Sequence, residues 1–178
     1  MKLSKSVLLA SLLVTTTLTF AENYFLINGK KIGLQESQKS IITKLGKPKF
    51  VDGGGSLNWG NYDDPEITAY FNQYGLDMLS TSKGSVVING KMITIGKDSP
   101  NTSKSKVQNY CEGFDGGNSF RQYNQSTRVG AEGEIYISFG TYGDRNTSNK
   151  TLMSKPIESI SLGYEDPLAN FSSPKCNY

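Results

Sequence analysis

Three stretches of this chain are written twice, in the same order. FLINGKKIGL (25–34) returns sixty-one residues later as VVINGKMITI (86–95), and DGGGSLNW (52–59) returns sixty-three later as DGGNSFRQ (115–122). EITAYFNQYG (66–75) returns sixty-eight later as EIYISFGTYG (134–143). Collinear matches with a slowly growing offset mark a duplication that has since gained residues in its loops. The expected fold is therefore α+β: two tandem repeats, 22–84 and 85–167, followed by a C-terminal tail, 168–178. Halves of this size bury too little surface to be comfortably stable alone, so the two are expected to share a core.

Each block has a physical reading. Asn28-Gly29 and Asn89-Gly90 lie between apolar runs, and the positive φ angles of a type I′ turn suit both residues. Each repeat should thus open with a tight hairpin, with Phe25 facing Ile32 and Val86 facing Ile93. A short helix follows. In the first repeat Ser37 caps it, Ile41, Ile42 and Leu45 form its apolar stripe, and Gly46 and Pro48 stop it. In the second, Ser99-Pro100 starts it, Val107, Tyr110 and Cys111 form the stripe, and Gly113 ends it. Ile67, Ala69 and Phe71 alternate with Thr68, Tyr70 and Asn72, and Ile135, Ile137 and Phe139 with Tyr136, Ser138 and Gly140. This two-residue period belongs to a strand buried on one face. With closing strands at 78–82 and 157–164, each repeat reads as a hairpin, a short helix and about three antiparallel strands.

Lys2 and Lys5, the apolar run 7–14 and Thr19-Phe20-Ala21 have the layout of a secretory signal, 1–21, cleaved after Ala21. The apolar run is too short to span a bilayer, and no cysteine follows the cut to carry a lipid, so no membrane anchor is expected. Losing the two leader lysines leaves 17 basic against 16 acidic residues, a net charge of +1. Such a chain, without a clustered basic face, is not composed for nucleic acid. The expected location is periplasmic or secreted. In that oxidising setting Cys111 and Cys176 should form a disulfide that ties the tail to the end of the second helix.

The chain has no histidine, which excludes Ser/His/Asp and Cys/His nucleophile arrangements. Carboxylates gather at Asp63, Asp64 and Glu66, at Glu132 and Glu134, and at Glu165 and Asp166, so a glycosidase-like acid and base pair is compatible with residue type alone. They are read instead as solvated turn and strand-edge charges. Neither DGG segment has the context of a phosphate loop or a calcium loop, and no cofactor, metal or catalytic residue is expected. The aromatic residues say more. Trp59, Tyr62, Tyr70, Tyr74, Tyr123, Tyr136 and Tyr142 are assigned to the second or third strand of a repeat, among Ser, Asn, Gly and Thr. Tyrosine with small polar neighbours is how protein-binding surfaces are commonly composed. The simpler reading is that Tyr and Trp favour strands and pair across them. The acidic turn with Asp63 and Asp64 has no counterpart in the second repeat and is expected to enter a partner's cleft.

The helix ending in Leu45-Gly46-Lys47-Pro48, the glycine-rich turn and the strands bearing Trp59 and Tyr62 resemble the repeat of small exported bacterial proteins, the beta-lactamase-inhibitor-protein and BamE-like families. The resemblance implies a duplicated sheet whose face binds another protein. Two departures are plain: the lipidated cysteine of BamE-like proteins is missing, and one disulfide stands in place of one per repeat. The expectation is a non-enzymatic inhibitor, such as an immunity protein, whose partner is a toxin or an exported enzyme. An envelope-assembly module and a cell-wall carbohydrate-binding protein, the latter using Trp59, are the other readings.

Overall fold

The computed structural model describes residues 22–130, 134–171 and 173–177. The expected signal sequence and Glu132 lie outside them. The chain opens with β1 (Tyr24–Ile27) and β2 (Lys30–Gly33), then α1 (Gln38–Leu45) and four strands, β3 (Phe50–Val51), β4 (Leu57–Gly60), β5 (Pro65–Asn72) and β6 (Gly75–Thr81). It continues with β7 (Ser85–Ile88), β8 (Lys91–Thr94), α2 (Pro100–Lys104), β9 (Tyr110–Gly116), β10 (Phe120–Val129) and β11 (Ile135–Asp144). A third helix, α3 (Asn149–Ser154), then β12 (Ser159–Gly163) and β13 (Lys175–Asn177) complete it. The protein is α+β, built mostly of antiparallel sheet with three short helices among the described residues.

Both Asn-Gly pairs turn as their chemistry dictates: φ is 51° and 72° at Asn28 and Gly29, and 50° and 77° at Asn89 and Gly90. That fixes the registers, and Phe25 faces Ile32 as Val86 faces Ile93. The two hairpins meet through β1 and β7 in a four-stranded sheet ordered β2-β1-β7-β8. The remaining strands form one sheet ordered β13-β9-β10-β11-β12-β6-β5-β4-β3, in which the two meanders join through β6 and β12. One continuous core lies between the sheets. Phe25, Ile27, Val86 and Ile88 of the hairpins pack in the same cluster as Ile67, Leu79, Ile137 and Leu162 of the large sheet, with Ile41 of α1.

Two expectations about helices need correction. The second helix stops at Lys104 and does not reach Gly113; Tyr110 and Cys111 belong to β9. Beyond Val107, which is buried, Asn109 adopts a left-handed φ of 42° and the chain enters an extended run paired with β10. The disulfide therefore joins strand to strand, with Cys111 facing Cys176 in β13. The third helix has no counterpart in the reading of the sequence. It is capped by Ser148, which accepts from Thr151 N, and it buries Leu152, whose carbonyl accepts from Thr141 Oγ1 at 3.0 Å. β10 and β11 are ten residues each, longer than β4 and β5, and α2 and α3 cover the extension.

Candidate functional site

Alternation along the large sheet separates a buried face from an open one. Ile67, Ala69, Leu79, Ile137, Phe139 and Leu162 point into the core. On the opposite face Asn58, Thr68, Ser80, Ser161, Ser138 and Ser126 stand abreast on successive strands. Neighbouring strands are about 4.8 Å apart, so this is a close row of small polar groups. Thr68 Oγ1 donates to Asn58 Oδ1 at 2.8 Å, and Ser161 Oγ to Ser80 Oγ at 3.1 Å. Larger side chains flank the row, Tyr70 and Met78 in the first half of the chain and Tyr136 and Arg128 in the second. The Arg128 guanidinium lies 5.1 Å from the Tyr136 ring centre.

Between these groups the face is hollow. A cleft of about 390 Å³ is lined by Ser56, Tyr70, Asp77, Met78, Tyr164 and Glu165, together with Gly163. It spans the junction of β6 and β12. A Cβ built on Gly163 would meet nothing within 4 Å, so the missing side chain is what leaves the space above that strand. Tyr70, Met78 and Tyr164 are all partly exposed. Asp77 accepts from Asn72 Nδ2 at 2.8 Å. The cleft thus offers rings, a thioether and acceptor oxygens, the means to hold a ligand.

The open face is not bare throughout. After β12 the chain turns at Asp166, whose Oδ1 accepts from Leu168 N, and a cavity of about 200 Å³ is lined by Asp166 together with Ser126, Arg128, Tyr136 and Cys111. Phe171 then lies over Gly113, where an added Cβ would come within 2.8 Å of its ring. Leu168 and Gly113 are buried. The tail crosses the second half of the face, and the disulfide fastens it.

The residues expected to form a binding face separate into three groups. Trp59 and Tyr123 are corrected: both are buried, 7 % and 0 % exposed, and cannot meet a partner. Trp59 Nε1 donates to Gly46 O at 2.9 Å, tying the end of α1 to β4. Tyr123 packs on Phe114 with ring centres 5.0 Å apart and donates to Glu112, which also pairs with Lys104. Burial and the Glu112 charge push the Tyr123 hydroxyl far above the usual tyrosine range. Both residues alternate onto the core side.

Tyr62, Asp63, Asp64 and Tyr74 form the second group, exposed but distant. Tyr62 packs on Phe50, 4.8 Å between ring centres, beside Asp63 and Asp64 in the β4–β5 turn. Tyr74 sits in the β5–β6 turn. The eight residues of β5 separate these turns, roughly 25 Å of extended chain. Tyr62 and Tyr74 are therefore turn residues, not strand residues. Tyr70, Tyr136 and Tyr142 form the third group and share the open face. Tyr142 reaches across Gly140 to within 3.5 Å of Ser159 Oγ.

Met78, Gly163, Tyr164, Asp77 and Glu165 were not singled out by the tyrosine pattern. The signal for part of the set lay in ESISLGYED (158–166), whose alternation turns Gly163 to the same face as Ser161. Among the described residues no three Asp, Glu or Cys side chains gather as a metal-ligand set, and no helix is long and apolar enough to cross a membrane. Compared with family models, with curated proteins and with solved structures, the chain matches none.

Proposed function

We propose that the chain is an exported, non-enzymatic protein that binds and blocks another protein, as an immunity protein does a toxin or an inhibitor an exported hydrolase. It acts in the periplasm or outside the cell. The observation that carries the reading is the cleft of Tyr70, Met78, Gly163 and Tyr164, which lies on the sheet face that the helices leave uncovered. Rings, a thioether and small hydroxyls on a rigid sheet give large contact area at low rotamer cost. Trp59 is buried, so the carbohydrate reading loses the ring it relied on.

Tandem duplication is the other part of the proposal, and three relationships support it. Phe25 and Val86 head matching blocks of sequence, and they face each other across β1 and β7. Aligning EITAYFNQYG with EIYISFGTYG equates Ala69 with Ile137, whose ladder partners are Leu79 and Leu162. Those two leucines also face each other, across β6 and β12. Two like halves related by a two-fold axis bring counterparts together on that axis. Third, each hairpin is clasped to the following segment by an acid and a lysine at matching positions, Glu36 with Lys44 and Asp98 with Lys106.

Affinity capture from an envelope extract of the source organism tests the reading. Tyr70→Ala and Gly163→Leu should each abolish capture of the partner that the unaltered protein retains, with melting temperature preserved. Undiminished capture by both variants would contradict the assignment of this face.

A further inference from the structure

We infer that the cleft above Gly163 receives a basic side chain of the partner, a lysine ammonium or an arginine guanidinium. The inference rests on the binding reading above and names the chemistry of what is bound. Charge complementarity carries it. Six carboxylates, those of Glu22, Glu36, Glu66, Asp98, Glu112 and Glu158, are paired with lysines of this chain. Several other carboxylates among the described residues form no ion pair, and of these Asp77 and Glu165 are the two that line the cleft, none of whose lining residues is basic. Asp77 accepts from the neutral Asn72 amide at one oxygen and from no cation.

The walls suit the same occupant. Tyrosine faces attract a cation through their quadrupole, and Tyr70 and Tyr164 both contribute to the lining. The Met78 thioether is polarisable, and with the open space above Gly163 it accommodates the aliphatic stem that a lysine or arginine carries behind its charge. A neutral apolar side chain would fill the space and leave two carboxylates uncompensated, and an acidic one would be repelled.

The test is a titration of the ¹⁵N-labelled protein, followed by amide shifts, with N-acetyl-lysine methylamide, N-acetyl-arginine methylamide and neutral N-acetyl-norleucine methylamide. The two cations should move the Met78, Gly163 and Tyr164 amides along saturable curves, and the stronger binder names the side chain. The norleucine compound should bind about fivefold more weakly or less, and Asp77→Asn/Glu165→Gln should bring the cations down to its level. Equal binding of norleucine, or no saturable shift at these amides with either cation, would overturn the inference. Neither result touches the broader reading, which fails if capture survives both Tyr70→Ala and Gly163→Leu.

Discussion

Glu36 and Asp98, sixty-two residues apart, make the same three contacts. Each accepts an amide proton from the end of its hairpin, Gly33 N at 2.8 Å or Thr94 N at 2.8 Å. Each accepts a hydroxyl from the helix that follows, Ser40 or Thr102. Each is neutralised by a lysine, Lys44 or Lys106, which also donates to a carbonyl of the hairpin, Lys31 O at 2.7 Å or Met92 O at 2.9 Å. The clasp holds hairpin and helix at a fixed angle, and so sets how each hairpin enters the core.

Turning either carboxylate into an amide removes the charge that faces the lysine and replaces one of its two acceptor oxygens with a donor. Glu36→Gln and Asp98→Asn should each cost about 2 kcal/mol in urea unfolding. The clasps share no partner, so the double variant should lose close to the sum.

The clasps also set the acid limit. Burial alone would raise the Glu36 carboxyl, but Lys44, Ser40 and the Gly33 amide outweigh it and hold the group below its ordinary value. Asp98 is lowered in the same way, with Lys106, Thr94 and Thr102 outweighing burial. As pH falls, the unfolded chain takes up these protons first. Their stabilisation is complete above about pH 4.3 for Glu36 and about 3.9 for Asp98, and is lost as pH passes down through the depressed folded values. The urea midpoint of the Glu36→Gln/Asp98→Asn protein should therefore lie below that of the unaltered chain at neutral pH, and the gap should narrow steadily on acidification.

Stability and binding should separate between two rings that the sequence treats alike. Trp59→Phe removes the bond to Gly46 O and should lower stability by about 1 kcal/mol while leaving partner capture intact. Tyr70→Ala should do the reverse, since this residue is 38 % exposed. Thermal melting and capture, measured on both variants, check this directly.

The disulfide closes a loop with a sequence separation of 65 residues, which on the chain-entropy model contributes at most about 4 kcal/mol. Cys111→Ser/Cys176→Ser should show that loss on unfolding, and hydrogen exchange should become fast over 164–171 and 173–177. Gly113→Ala should speed exchange in the same segment with the disulfide intact, because its methyl would push against Phe171.

What could be read from the letters followed from local chemistry. Asn-Gly turns set the hairpin registers, and alternation put Ile67, Ala69 and Ile137 inside and Tyr70 and Tyr136 outside. The clasps left a signal that the reading of the sequence passed over, an acid just before the capping Ser37 or Ser99 and a lysine eight residues after that acid. The errors came where long-range pairing decides. Val107, Tyr110 and Cys111 have the spacing of a helical stripe, yet the β9–β10 ladder claims the last two. Trp59 and Tyr123 have a surface tyrosine's neighbours in sequence, but strand parity turns them inward. The DGGNS segment ends β9 with its first two residues and turns into β10 with the rest, where DGGGS lies wholly in the β3–β4 turn, and the longer ladder puts Thr127 opposite Ile137, where Leu57 stands opposite Ala69. Above all, no local pattern announces that the tail crosses the second half of the open face and leaves the cleft at the junction accessible.

The central claim, that the junction cleft is where a partner is gripped, is tested most directly by photo-crosslinking in living cells. A benzophenone amino acid is placed in turn at Tyr70, at Tyr164 and at Thr43, which is exposed on α1. The account predicts one discrete protein adduct from positions 70 and 164, suppressed by Gly163→Leu, and none from position 43. Adducts of the same identity from all three positions, or none from the two cleft positions, would contradict it.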